Sequence, residues 1–138
     1  MADKLKFELV SPERVILSAD VDMVTVPGKE GEFGVFAHHA PLMTALKPGM
    51  VDVQGDEKSR TRIFVRGGFA EVTAAGLTVL AEEAIEEEDL NPDVIARQIA
   101  DAEEDVADAK DDATRQRAQE ALESLREIER SLAVGSRQ

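Results

Sequence analysis

Up to about Ala81 the apolar residues of this chain alternate with a period of two, and beyond it they recur every three or four. A period of two is the signature of a half-buried strand and a period near 3.6 that of an amphipathic helix, so the chain divides into a β half and an α half. In the first half Leu5, Phe7 and Leu9 alternate with Lys4, Lys6 and Glu8. A β-branched run over residues 21–26 ends at Pro27 and Gly28, and residues 50–53 follow Pro48 and Gly49. Residues 62–66, 69–73 and 77–81 complete the series, the last two separated by Ala74, Ala75 and Gly76. Many short strands with Gly and Pro between them predict an antiparallel β-sandwich over residues 1–88.

The second half opens on an acidic stretch containing Glu82, Glu83, Glu86, Glu87, Glu88 and Asp89. Asn91 and Pro92 then suit a helix start, Asn as N-cap and Pro at the first helical position. Ile95, Ile99, Ala102, Val106 and Ala109 make one narrow apolar stripe, which fades at Asp111 and Asp112, two carboxylates that suit a turn and a new helix N-terminus. It resumes as Ala118, Leu122, Leu125, Ile128 and Leu132 until Gly135. Two amphipathic helices joined by a short turn predict an antiparallel hairpin over residues 89–138. Its first helix, over residues 92–110, would be about 28 Å long. The stripes are rich in Ala, so each turn buries little apolar area, and such a hairpin is expected to be marginally attached to whatever it rests on.

Charge and composition then remove whole classes of function. The formal charge of −13 repels phosphate backbones, and Trp and Tyr are absent, so nucleic acid is not an expected partner. Without cysteine there is no disulfide, thiolate or Cys-ligated metal. No apolar run approaches the roughly 18 residues of a membrane span, and the start lacks the pattern of a signal or transit peptide. The expectation is a soluble intracellular chain that reaches a membrane only through another protein. No nucleophile–base pair or paired carboxylate set emerges, so no catalytic residue and no cofactor is expected. Adjacent His38 and His39 on an extended segment would point to opposite faces. They could join Glu32 in a cupin-like metal site, but the three lack a telling ligand spacing, and the expectation is no metal. A free-standing helical-hairpin adaptor is a second alternative.

The segment Val26-Pro27-Gly28-Lys29-Glu30-Gly31-Glu32-Phe33-Gly34-Val35 runs on through His39-Ala40-Pro41-Leu42 to Leu46-Lys47-Pro48-Gly49. This resembles the signature of the epsilon subunits of F-type ATP synthases (delta in mitochondria). Gly67-Gly68-Phe69-Ala70-Glu71-Val72 and the opening Phe7-Glu8-Leu9-Val10-Ser11-Pro12 resemble two further family blocks. The likeness runs along the whole chain in order and is weakest over the helices. Gly28, Gly31 and Gly34 are ordinary turn glycines on composition alone, and no Gly-Lys-Ser/Thr follows to make a phosphate cradle.

The resemblance implies a non-catalytic subunit of the central rotor stalk of a proton-translocating synthase. It implies packing on the gamma subunit along one side of the sandwich. Gly28, Gly31, Glu32, His39, Pro41 and Leu42 would form a surface facing the c-ring. It also implies a hairpin that can extend toward the alpha and beta subunits and restrain ATP hydrolysis, and a location on the cytoplasmic face of a bacterial inner membrane. Some relatives bind ATP through an Ile/Leu-Asp-x-x-Arg-Ala motif. Here it falls on Leu90, Asn91, Val94 and Ile95, so its Asp and Arg are lost. Without the arginine's planar donor fork, ATP binding is expected to be weak or absent.

Overall fold

The computed structural model describes residues 3–55 and 59–135. The chain divides into two compact units, Met1–Glu87 and Glu88–Gln138. The first unit holds eight strands: β1 (Leu5–Val10), β2 (Val15–Val21), β3 (Met23–Gly28), β4 (Gly31–Val35), β5 (Leu42–Ala45), β6 (Gly49–Gln54), β7 (Arg60–Thr73) and β8 (Gly76–Glu86). They hydrogen-bond in the order β2-β1-β8-β7-β6-β3-β4, with β5 pairing on β7.

The sheet becomes a sandwich through β7. Its first part pairs with β6, Gly49 opposite Val65, and its second part pairs with β5, Ala45 opposite Phe69. Between them Gly67 and Gly68 take φ values of 75° and 93°, a left-handed region open to glycine and strained for other residues. The strand turns there and its partner β8 turns with it, keeping one register from Ile63 opposite Glu86 to Thr73 opposite Gly76. Leu5, Phe7 and Leu9 from β1 meet Val24 and Val26 from β3, Val51 and Val53 from β6, and Leu77 and Val79 from β8 in one buried cluster. Each large side chain so buried contributes roughly 1.5–3 kcal/mol.

Several boundaries differ from the sequence pattern for physical reasons. Residues 62–66 and 69–73 are one strand, because a glycine pair bends β7 without ending it. β8 continues past Ala81 to Glu86, so Glu82, Glu83 and Glu86 are strand residues, with Glu82 and Glu83 exposed to water. The run over residues 21–26 straddles a bend at Asp22, whose amide donates to Gln54 O at 2.8 Å. β2 carries Val15, Ile16 and Leu17 in succession and shows no clean alternation, as suits an edge strand. The sheet is also not wholly antiparallel: β1 lies parallel to β8, with Phe7 opposite Leu77.

In the second unit α1 (Pro92–Asp108) begins where Asn91 Oδ1 accepts from the amides of Asp93 and Val94, each at 3.0 Å. It ends at Asp108, short of Lys110, because Ala109 is extended. α2 (Asp112–Gly135) begins at Asp111, whose carboxylate accepts from the Thr114 amide at 2.7 Å and hydroxyl at 3.0 Å. Those bonds hold the Asp111 carboxyl below its ordinary range. The two helices pack on each other; Ile95, Ala102, Leu122 and Leu125 are buried, and Arg126 donates across to Glu103 at 3.2 Å. The final positions 136–138 of the expected hairpin lie outside the described residues.

Candidate functional site

β3 and β4 close on the turn Lys29 and Glu30, with Gly28 opposite Gly31 and Pro27 opposite exposed Glu32. A second strand end fastens this hairpin. The Lys29 amide donates to Ala45 O at 2.8 Å, the Lys47 amide to Pro27 O at 3.0 Å, and Gly28 bridges to Leu46. Gly28, Gly31 and Glu32 therefore sit at the Ala45 end of β5.

His39, Pro41 and Leu42 lie toward its other end, where the chain leaves β4 and enters β5. Pro41 and Leu42 are exposed and His39 is half-buried. The four residues of β5 separate the two groups by about 10 Å of extended chain, so they make two spots. The expectation of an extended His38–His39 segment is corrected. His38 occupies a turn at φ 66° with Nε2 2.6 Å from Asp3 Oδ2, whereas His39 Nδ1 is 2.7 Å from Ala40 O.

Asp52 on β6 stands opposite Arg62 on β7, and the Arg60 Nε donates to both of its oxygens, at 2.9 and 3.1 Å. These hydrogen bonds lower the Asp52 pKa against the opposing effect of burial, with the positive charges of Arg60 and Arg62 assisting. Arg62 also reaches Glu87 at 2.5 Å. This network pins the end of the β6–β7 ladder.

The sequence pattern misses an apolar row on the outer face of the sheet. Ala45, Phe69, Leu80, Val10 and Val15 are successive cross-strand partners on β5, β7, β8, β1 and β2. Phe69 is 38 %, Leu80 37 % and Val15 52 % exposed. The neighbouring row, Met43, Glu71, Thr78, Glu8 and Ser18, lies on the same face, and Met43 is 60 % exposed. The signal is present in the alternation: Leu80 falls between buried Val79 and Ala81, at a position where a water-facing strand carries a polar residue.

The positions of the nucleotide motif are taken up by helix formation. Asn91 spends its side-chain oxygen on the cap of α1, Ile95 is fully buried, Leu90 is buried and Val94 is partly so. None of the four carries a cation.

The class of protein so defined has two parts: a sandwich with water-facing apolar side chains along one outer row, followed by a paired-helix unit. Residues 4–87 match the family model described as ATP synthase, Delta/Epsilon chain, beta-sandwich domain. The chain is 56 % identical over 128 residues to the ATP synthase epsilon chain of Parvibaculum lavamentivorans, covering 93 % of this chain and 97 % of that one. It is 49 % identical to the ATP synthase epsilon chain of Mesorhizobium japonicum over 94 % of this chain and 96 % of that one. Among solved structures it resembles a chain of the Euglena gracilis mitochondrial ATP synthase OSCP/F1/c-ring assembly, at 26 % identity and a TM-score of 0.73. The match covers 96 % of this chain and 83 % of that one. A chain of the Tetrahymena thermophila central stalk and c-ring shares the fold at 12 % identity and a TM-score of 0.63, with 93 % of this chain and 98 % of that one covered. The chain belongs to the ATP synthase delta/epsilon family.

Proposed function

We propose that the chain is the epsilon-type subunit of a rotary ATP synthase central stalk and clamps the gamma subunit to the c-ring without chemistry of its own. The observation that carries the reading is the apolar row of Phe69, Leu80 and Val15 left facing water in a member of this family. Exposed aromatic and aliphatic side chains on a packed sheet are the makings of an interface centre. The partner assigned to this row is gamma. The spots around Gly28, Gly31 and Glu32, and around His39, Pro41 and Leu42, are assigned to the ring.

A sandwich packed to interior density is stiff, which is what a torque-bearing joint requires. The Ala-rich hairpin suits a second position toward the alpha and beta subunits, at a cost of a few kcal/mol. No described helix is long and apolar enough to cross a membrane. The place proposed for it, on its likeness to bacterial epsilon chains, is peripheral, at the cytoplasmic face of a bacterial inner membrane.

The chain has no cysteine, so single-cysteine variants report unique positions. Phe69→Cys labelled with a maleimide that carries a photoreactive group should give adducts with gamma on illumination, and Glu32→Cys so labelled with a ring subunit, in detergent-solubilised complex. Adducts of Phe69→Cys with the ring alone would reverse the assignment, and none at either position would refute it.

A further inference from the structure

The start of β1, the connection between β4 and β5, and the turn between β7 and β8 enclose an open cavity of about 410 Å³. Its walls include Lys4, Lys6, His38, His39, Pro41 and Gly76. In a chain of net charge −13, four basic side chains around one hollow run against the composition. Two acids answer them: Asp22 pairs with Lys4, and Asp3 with His38. Lys6 is exposed and has no partner among the described residues, and His39 uses only Nδ1, leaving Nε2 open. The hollow thus keeps a residual positive charge.

The walls are also set in place before any ligand arrives. Gly76 packs so closely on β1 that a Cβ there would stand 2.2 Å from Lys6 O. His38 is held in the left-handed region, φ 66°, while its ring is tied to Asp3. Backbone held away from its preferred basins persists where the surroundings over-determine it, and such residues cluster at ligand clamps.

We propose that this cavity is an anion site for a phosphate group, carried either as free phosphate or as the head of a phospholipid. Donors approach from separate walls, Lys6 from the strand and, when its imidazole is protonated, His39 Nε2 from the connection, since Nδ1–H is already given to Ala40 O. The volume falls within the range of small-ligand clefts. The site shares His39 and Pro41 with the spot assigned to the ring, so it belongs to the free chain, and its geometry does not draw on the assignment of gamma.

The test is amide NMR of the full chain titrated with sodium phosphate against sodium chloride at matched ionic strength and pH. It is repeated with phosphatidylcholine vesicles, with and without phosphatidylglycerol. Saturable shifts confined to Lys6 and residues 37–40 and 73–76 are expected. In the phosphate arm they assign the free anion; in the phosphatidylglycerol arm alone they assign the lipid head. Lys6→Gln should weaken binding about tenfold by removing one charge-assisted donor, whereas Lys110→Gln on the helix connection should not. The proposal is overturned if those amides stay still in both arms, or if the two lysine variants weaken binding equally.

Discussion

A Cβ built on Gly68 would stand 1.8 Å from the carbonyl oxygen of Leu80, closer than any side chain can tolerate. The bend that turns one sheet into a sandwich therefore rests on a hydrogen atom at position 68. Gly68→Ala must move the β8 backbone or straighten β7, and we expect a loss of roughly 2–4 kcal/mol in urea unfolding. Gly34→Ala is the control. Its Cβ would meet Met23 at an ordinary 3.4 Å, and the change should stay within about 1 kcal/mol.

The Asp52–Arg60 pair should show in the pH dependence of stability. The folded Asp52 carboxyl titrates below its unfolded value, chiefly through the Arg60 hydrogen bonds. Its contribution is fully present above the unfolded pKa and is lost as pH falls through the lower folded one. Asp52→Asn should therefore lower the thermal midpoint more at pH 7 than at an acidic pH below the unfolded value. An equal deficit at both values would show that the bond works as a neutral contact.

Asn91 satisfies two orphan amides at the start of α1. Asn91→Ala should cost about 1 kcal/mol and speed amide exchange at Asp93, Val94 and Ile95 first. Exchange in β7 and β8 should be unaffected.

No cation stands at the four positions of the nucleotide motif. Calorimetry with Mg-ATP should give no binding in the micromolar range. Truncation after Glu88 should raise membrane ATPase by less than severalfold, because acids outnumber Arg126, Arg130 and Arg137 along this hairpin. A larger rise would show strong restraint by the helices.

The features legible in the sequence, and those hidden from it, divide along the range of the forces. Asn91 and Asp111 announce helix starts because caps act over three residues, and the stripe from Ile95 to Leu125 announces the pairing face for the same local reason. The bend at Gly67 and Gly68 reads as a turn between strands in one dimension; only the register of β8 reveals a strand that continues through it. The apolar row is hidden for a similar reason. Ala45, Phe69, Leu80, Val10 and Val15 come from five strands, and no window of sequence brings them together. The parallel pairing of β1 with β8 joins residues some seventy positions apart, beyond any local pattern. His38 reads as extended in the sequence because nothing nearby announces a left-handed residue without glycine or asparagine.

The row through Phe69 and Leu80 is proposed to hold this chain on gamma. The most direct test is co-purification from detergent-solubilised membranes carrying either the wild type or Phe69→Asp/Leu80→Asp, with circular dichroism to verify that the variant folds. The wild type should elute with gamma and the c-ring. The folded variant should bind at least roughly thirtyfold more weakly, the loss expected for removing a buried interface anchor. A folded variant retained as fully as the wild type would contradict the proposal.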